Sequence, residues 1–130
     1  MHWKAIFIGL GTYLLCYVAY TLLTDISIGD DATEIPGWFG VVFAVIGWLV
    51  YVIPGYVAGK IASERGVIHG AITGLLVAVV TLLVYFAFIG FRMLEPEYFS
   101  NIYMIPLWSA FMCGLGGGLG QLHAKYSLKA

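Results

Sequence analysis

Four apolar stretches, residues 5–23, 37–59, 67–91 and 102–122, fill the chain, and almost every charged residue stands between or beyond them. Each is as long as the roughly 18–20 residues that carry an α-helix across a bilayer core. The pattern predicts an all-α fold, an integral membrane bundle of four transmembrane helices at about 5–24, 37–60, 67–91 and 102–122. One bundle uses the whole length, so residues 1–130 form a single domain. Residues 25–36 read as a polar loop, with a turn favoured at Gly29-Asp30-Asp31. Residues 60–66 form a link so short that the second and third helices must be antiparallel neighbours. Pro54 removes a backbone hydrogen bond inside the second helix and should kink it. The segment Glu95-Pro96-Glu97-Tyr98-Phe99 reads as a short interfacial turn of helix that begins at Pro96.

Composition agrees with the pattern. The chain is 62% hydrophobic and 10% charged, against about 25% charged residues in soluble domains. A net charge of −1 gives no sign of a nucleic-acid partner. The distribution of charge says more than its sum. Lys4, Lys60, Arg65, Lys125 and Lys129 fall on one side of a four-span chain, and Arg92 falls on the other. Basic residues resist translocation, so the first side is expected to be cytoplasmic, with both termini inside. Asp25, Asp30, Asp31, Glu34, Glu95 and Glu97 then lie outside, and Glu64 inside. The opening Met1-His2-Trp3-Lys4 and its apolar run resemble a signal peptide. The run is long, however, and Thr24-Asp25-Ile26-Ser27 has no small-residue cleavage pattern, so a retained first helix is expected. Cys16 and Cys113 fall near mid-membrane and are expected to act as small apolar residues.

Two patterns stand out within the helices. Gly55 and Gly59 are four apart, and Gly66, Gly70, Gly74 and Ala78 continue that spacing in the third helix. Ala110, Gly114 and Gly118 repeat it in the fourth, as do Gly116 and Gly120. Glycine costs helix propensity, so such runs need a reason. In membranes the reason is close approach of helix backbones. Gly55, Gly59, Gly66, Gly70, Gly74, Gly114 and Gly118 are therefore the expected helix-packing residues, within the bundle or between subunits. The second pattern is Tyr13, Tyr17, Tyr20 and Thr24, which share one face of the first helix. Tyr13, Tyr17 and Tyr20 either wall a pocket for an amphipathic ligand such as a lipid or quinone, or fill glycine grooves on the third or fourth helix.

Candidate chemistry adds little. His2, His69 and His123 fall at one end, but no two show a ligand spacing such as His-x-x-x-His, and glycines at that depth imply helices too close for haem. No metal or cofactor site is expected. No Asp, Glu, Lys or Arg lies deep within an apolar stretch, which argues against proton-coupled transport. The four-helix multidrug exporters depend on a glutamate in the first helix, and this chain has none there. No nucleophile–base pair or phosphate cradle is present in the sequence, so no catalytic residues and no enzyme activity are expected.

Residues 55–74 read Gly-Tyr-x-Ala-Gly-x-x-Ala, then Gly-x-x-His-Gly and a further Gly. This stretch resembles a group of small uncharacterised bacterial and archaeal membrane proteins, similar in length, with four predicted helices and a glycine-rich second hairpin. The resemblance implies a polytopic bundle in a prokaryotic inner (cytoplasmic) membrane and carries over no catalytic residues. The expected partners are the lipid bilayer and other membrane subunits or further copies of the chain, in a non-enzymatic accessory or structural role. A small homo-oligomeric channel or transporter is the alternative, and a cofactor-binding electron-transfer subunit is a weaker one.

Overall fold

A long apolar segment satisfies its own backbone polar groups most directly as a helix, and the four stretches do fold as helices. The computed structural model describes residues 2–28, 37–89 and 102–127. It is all-helical, in the order α1 (Trp3–Ile28), α2 (Gly37–Ala62), α3 (Gly66–Ile89) and α4 (Met104–Ser127). The α1–α3 helices are each long and apolar enough to cross a membrane, over Trp3–Ser27, Gly37–Ala62 and Gly66–Ala87. The fourth expected span does not reach that level within α4, which holds five glycines together with Gln121, His123 and Lys125.

Several helix ends differ from those expected. The α1 helix runs to Ile28, and α4 runs to Ser127. An apolar run stops where polarity changes, whereas a helix stops where the backbone is broken. After Thr24 the first breaker is Gly29. Asp25 is therefore a helical residue, not part of the loop expected at 25–36. The Gly29-Asp30-Asp31 turn, Arg92, the interfacial turn at 95–99 and Lys129 lie outside the described residues. The α2 helix continues through Pro54 to Ala62.

The α2–α3 link is only residues 63–65. Ser63 and Arg65 adopt left-handed backbone angles, with φ of 54° and 51°. The Ser63 N–H donates to the Gly59 carbonyl at 3.1 Å and closes the end of α2. Around this turn the helices pack in an order set by side-chain size. The α4 helix sits against both α2 and α3, α1 packs on α2 and α3, and α1 and α4 are not neighbours.

The core is made mostly of small residues. Ala5, Ala58, Ala62, Ala78, Cys113 and Ala124 are buried, and Ile6, Tyr13, Val50 and Val77 are the larger apolar residues beside them. Burial is concentrated at the turn end. In α1 it falls on Ala5, Ile6, Gly9 and Tyr13, and in α2 on residues from Val50 to Ala62. Toward the other end the helices turn increasingly exposed faces outward.

Candidate functional site: an aromatic cavity and an open glycine groove

The contact between α4 and the α2–α3 hairpin is built on glycine. A side-chain carbon at Gly55 would overlap the Cys113 carbonyl oxygen, and one at Gly59 would overlap that of Gly117. From α3, Gly66, Gly70 and Gly74 lie in the same way against the carbonyls of Gly117, Cys113 and Ser109. The relation is reciprocal. Gly116 and Gly120 face the Val52 and Tyr56 carbonyls, and Gly117 faces that of Gly66. This repeating arrangement of glycine against carbonyl is the geometry that Cα–H···O contacts use between close helices.

Gly114 and Gly118 are placed differently. A carbon added at Gly114 would stand 3.7 Å from both the Ala71 side chain and the Val67 carbonyl oxygen, and one at Gly118 would meet Val67 Cγ2 at 3.2 Å. Together with Ala110, Val67 and Ala71 they line an apolar surface groove of about 550 Å³ between α3 and α4. Of the seven glycines expected to pack helices, five would overlap a backbone carbonyl within the chain; of these two, Gly114 is buried at the floor of the groove and Gly118 is half-buried on its wall, each with room beside it.

At the end away from the turn, a cavity of about 520 Å³ opens between α1 and α2. Tyr17, Tyr20 and Asp25 come from α1; Phe43, Trp48 and Tyr51 come from α2; Tyr85 reaches in from α3. Gly47 gives it room: the Tyr20 hydroxyl lies 3.7 Å from where a Gly47 side-chain carbon would stand. Tyr20 and Phe43 have ring centroids 6.2 Å apart. Thr21 and Thr24 also line the cavity, and their hydroxyls donate to the Tyr17 and Tyr20 carbonyls at 2.9 and 2.6 Å. Tyr13 does not line it. It is buried below, shares a 3.0 Å hydrogen bond with the Thr81 hydroxyl, and has its ring 5.7 Å from that of Tyr51 and 5.8 Å from that of Tyr17. Tyr13 thus anchors the aromatic wall, and Tyr17 and Tyr20 form part of it. None of the three fills a glycine groove on α4, because α1 and α4 are not neighbours.

The histidines occupy two separate places at the turn end. The His69 Nδ1 lies 3.0 Å from the Arg65 carbonyl, which can only accept, so Nδ1 carries the proton. The Nε2 atom then accepts from the His2 backbone N–H at 3.1 Å. His123 Nδ1 instead pairs with the Tyr56 hydroxyl at 2.6 Å. Among the described residues no three His, Cys, Asp or Glu side chains converge as metal ligands would. Cys113 is buried and donates its thiol to the Tyr51 carbonyl at 2.9 Å, and both cysteines are free thiols.

Sequence reasoning missed Asp25, Phe43, Trp48, Tyr51 and Tyr85 as cavity residues. Trp48 and Tyr51 are three apart on one helix face, a signal available beforehand. Asp25 was hidden by the loop assignment. No known protein family, curated protein or solved structure matches this chain.

Proposed function

We propose that this protein is an integral membrane bundle with a non-enzymatic accessory or structural role, in which it packs against another membrane protein or a second copy of itself. The observation that carries the reading is the open groove lined by Ala110, Gly114 and Gly118. Glycine in a helix interior costs about 0.8–1 kcal/mol relative to alanine. Within the chain, Gly116, Gly117 and Gly120 have backbone neighbours that account for them, whereas Gly114 and Gly118 have none as close. Small residues four apart on an open face are what a partner membrane helix needs for close approach.

Membrane insertion is supported by the distribution of side-chain sizes. Small residues fill the inside, while Leu15, Ile26 and Phe111 are 75%, 83% and 60% exposed. Water would drive such groups inward, whereas lipid would not. The lower hydropathy of α4 fits the same picture. Its glycines contribute to it, and its outward face carries Leu107, Phe111, Leu115 and Leu119, all exposed. Comparing wild type, Gly114→Leu and Gly118→Leu by native mass in mild detergent, after purification from native membranes, tests the role. We expect a stoichiometric complex or homo-oligomer that either substitution disrupts while helix content is kept. A wild-type chain that is purely monomeric and partner-free would overturn the reading.

A further inference from the structure

We propose that the cavity between α1 and α2 is a binding site for an organic ammonium group on an apolar body, held where the rings of Tyr20, Phe43 and Trp48 meet the carboxylate of Asp25. The proposal does not rest on the accessory role, which concerns the α3–α4 groove on another surface.

Three features of the cavity point to this chemistry. The first is its aromatic lining, drawn from three helices. The faces of tryptophan, tyrosine and phenylalanine carry negative potential and attract weakly hydrated cations, quaternary ammonium groups above all. The second is charge. Asp25 is the only formally charged residue among those lining the cavity. The basic residues of the described structure, Lys4, Lys60, Arg65 and Lys125, all stand at the opposite end of the bundle. A carboxylate with the described basic residues all at the far end raises the local concentration of cations and disfavours anions.

The third feature is the state of the threonine hydroxyls. The protons of Thr21 and Thr24 are committed to the carbonyls of Tyr17 and Tyr20. Those threonines therefore offer oxygen lone pairs to the cavity rather than protons. A volume of about 520 Å³ lies within the ordinary range of small-molecule sites and exceeds an ammonium head alone, leaving room for an apolar portion. Choline or ethanolamine lipid headgroups and free lipophilic amines share this chemistry.

The test is equilibrium dialysis of radiolabelled benzyltrimethylammonium against the purified full chain in a neutral maltoside detergent. We expect saturable binding that weakens about fivefold or more in Asp25→Asn and in Trp48→Ala, as loss of one charge or one ring contact implies. Trp108→Ala, on α4 outside the cavity, should bind as wild type does. Gly47→Leu, which fills the space beside Tyr20, should abolish binding while the helix content stays unchanged. Adding phosphatidylcholine identifies the source. If it competes, the occupant is a lipid headgroup; if it does not, a free amine; either result upholds the ammonium site. Absence of saturable binding, equal binding by Asp25→Asn, or displacement by benzenesulfonate as effective as by unlabelled benzyltrimethylammonium would each overturn the proposal.

Discussion

At Gly117 the backbones of three helices meet, with Gly59 of α2 and Gly66 of α3 both set against its carbonyl. A side-chain carbon there would overlap the Gly66 carbonyl oxygen and stand 3.0 Å from the Gly70 Cα. Neither neighbour is a side chain that can rotate away. Gly117→Ala is therefore expected to destabilise the bundle by about 1–3 kcal/mol through overpacking. Gly114→Ala should be neutral or stabilising by up to about 1 kcal/mol, since its new methyl group stands 3.7 Å from both the Ala71 side chain and the Val67 carbonyl oxygen, an ordinary contact distance, and alanine is the better helix former. Thermal unfolding of both variants in one detergent checks the contrast; a Tm for Gly117→Ala equal to or above that of Gly114→Ala would contradict it. The sequence makes the importance of small residues plain but not this difference. A four-residue spacing says that Gly114 and Gly118 share a face. It does not say which face meets a helix, and the run Gly116-Gly117-Gly118 offers glycine on several faces at once. Only the position of α4 against the hairpin decides that Gly117 is enclosed and Gly118 open.

At the level of elements, the existence of four helices and the antiparallel α2–α3 pair are legible, because length and apolarity dictate both. The ends are less so. The first N–H groups of any helix lack partners within it, and at α3 one of them is met from a distance: the Gly66 N–H donates to Gln121 Oε1 at 2.8 Å. A residue 55 positions away cannot be recognised as a cap from local sequence. We expect Gln121→Leu, which keeps the bulk and removes the acceptor, to cost about 0.5–2 kcal/mol, the range of a lost N-terminal cap. Gln121→Glu keeps an acceptor at the same reach and should restore most of that loss. Hydrogen exchange at the Gly66 amide reports the bond directly, with faster exchange in Gln121→Leu than in Gln121→Glu. Equal exchange in wild type and Gln121→Leu would show that the contact contributes nothing. The same difference between polarity and helix geometry explains Asp25. Its charge suggests a loop, while the lack of Gly or Pro before Gly29 keeps it helical and brings it to the cavity.

Across the whole molecule, the placement of α1 and α4 on separate faces of the hairpin was not legible, because periodicity identifies faces and not their partners. The α4 glycines fill the hairpin groove, which leaves the α1 tyrosines to line the cavity with α2. What the sequence does convey is polarity along the bundle axis, and the structure collects it. Lys4, Lys60, Glu64, Arg65 and Lys125 gather at the turn end, and Asp25 stands at the other. At 1.5 Å per residue, helices of 24–26 residues are about 36–39 Å long. That exceeds a hydrocarbon core of about 30 Å, so both sets of charges can reach the interfaces. We expect retention of basic residues in the cytoplasm to orient the bundle with its turn end inside. Single-cysteine labelling with an impermeant maleimide, in a Cys16→Ala, Cys113→Ala background, measures this in intact cells. Lys60→Cys should label only after the membrane is permeabilised, and Asp25→Cys should label without it. Labelling of Lys60→Cys from outside would invert the molecule and place the aromatic cavity on the cytoplasmic side. The four described basic residues would then all have crossed the membrane, against the one force in this chain that selects an orientation.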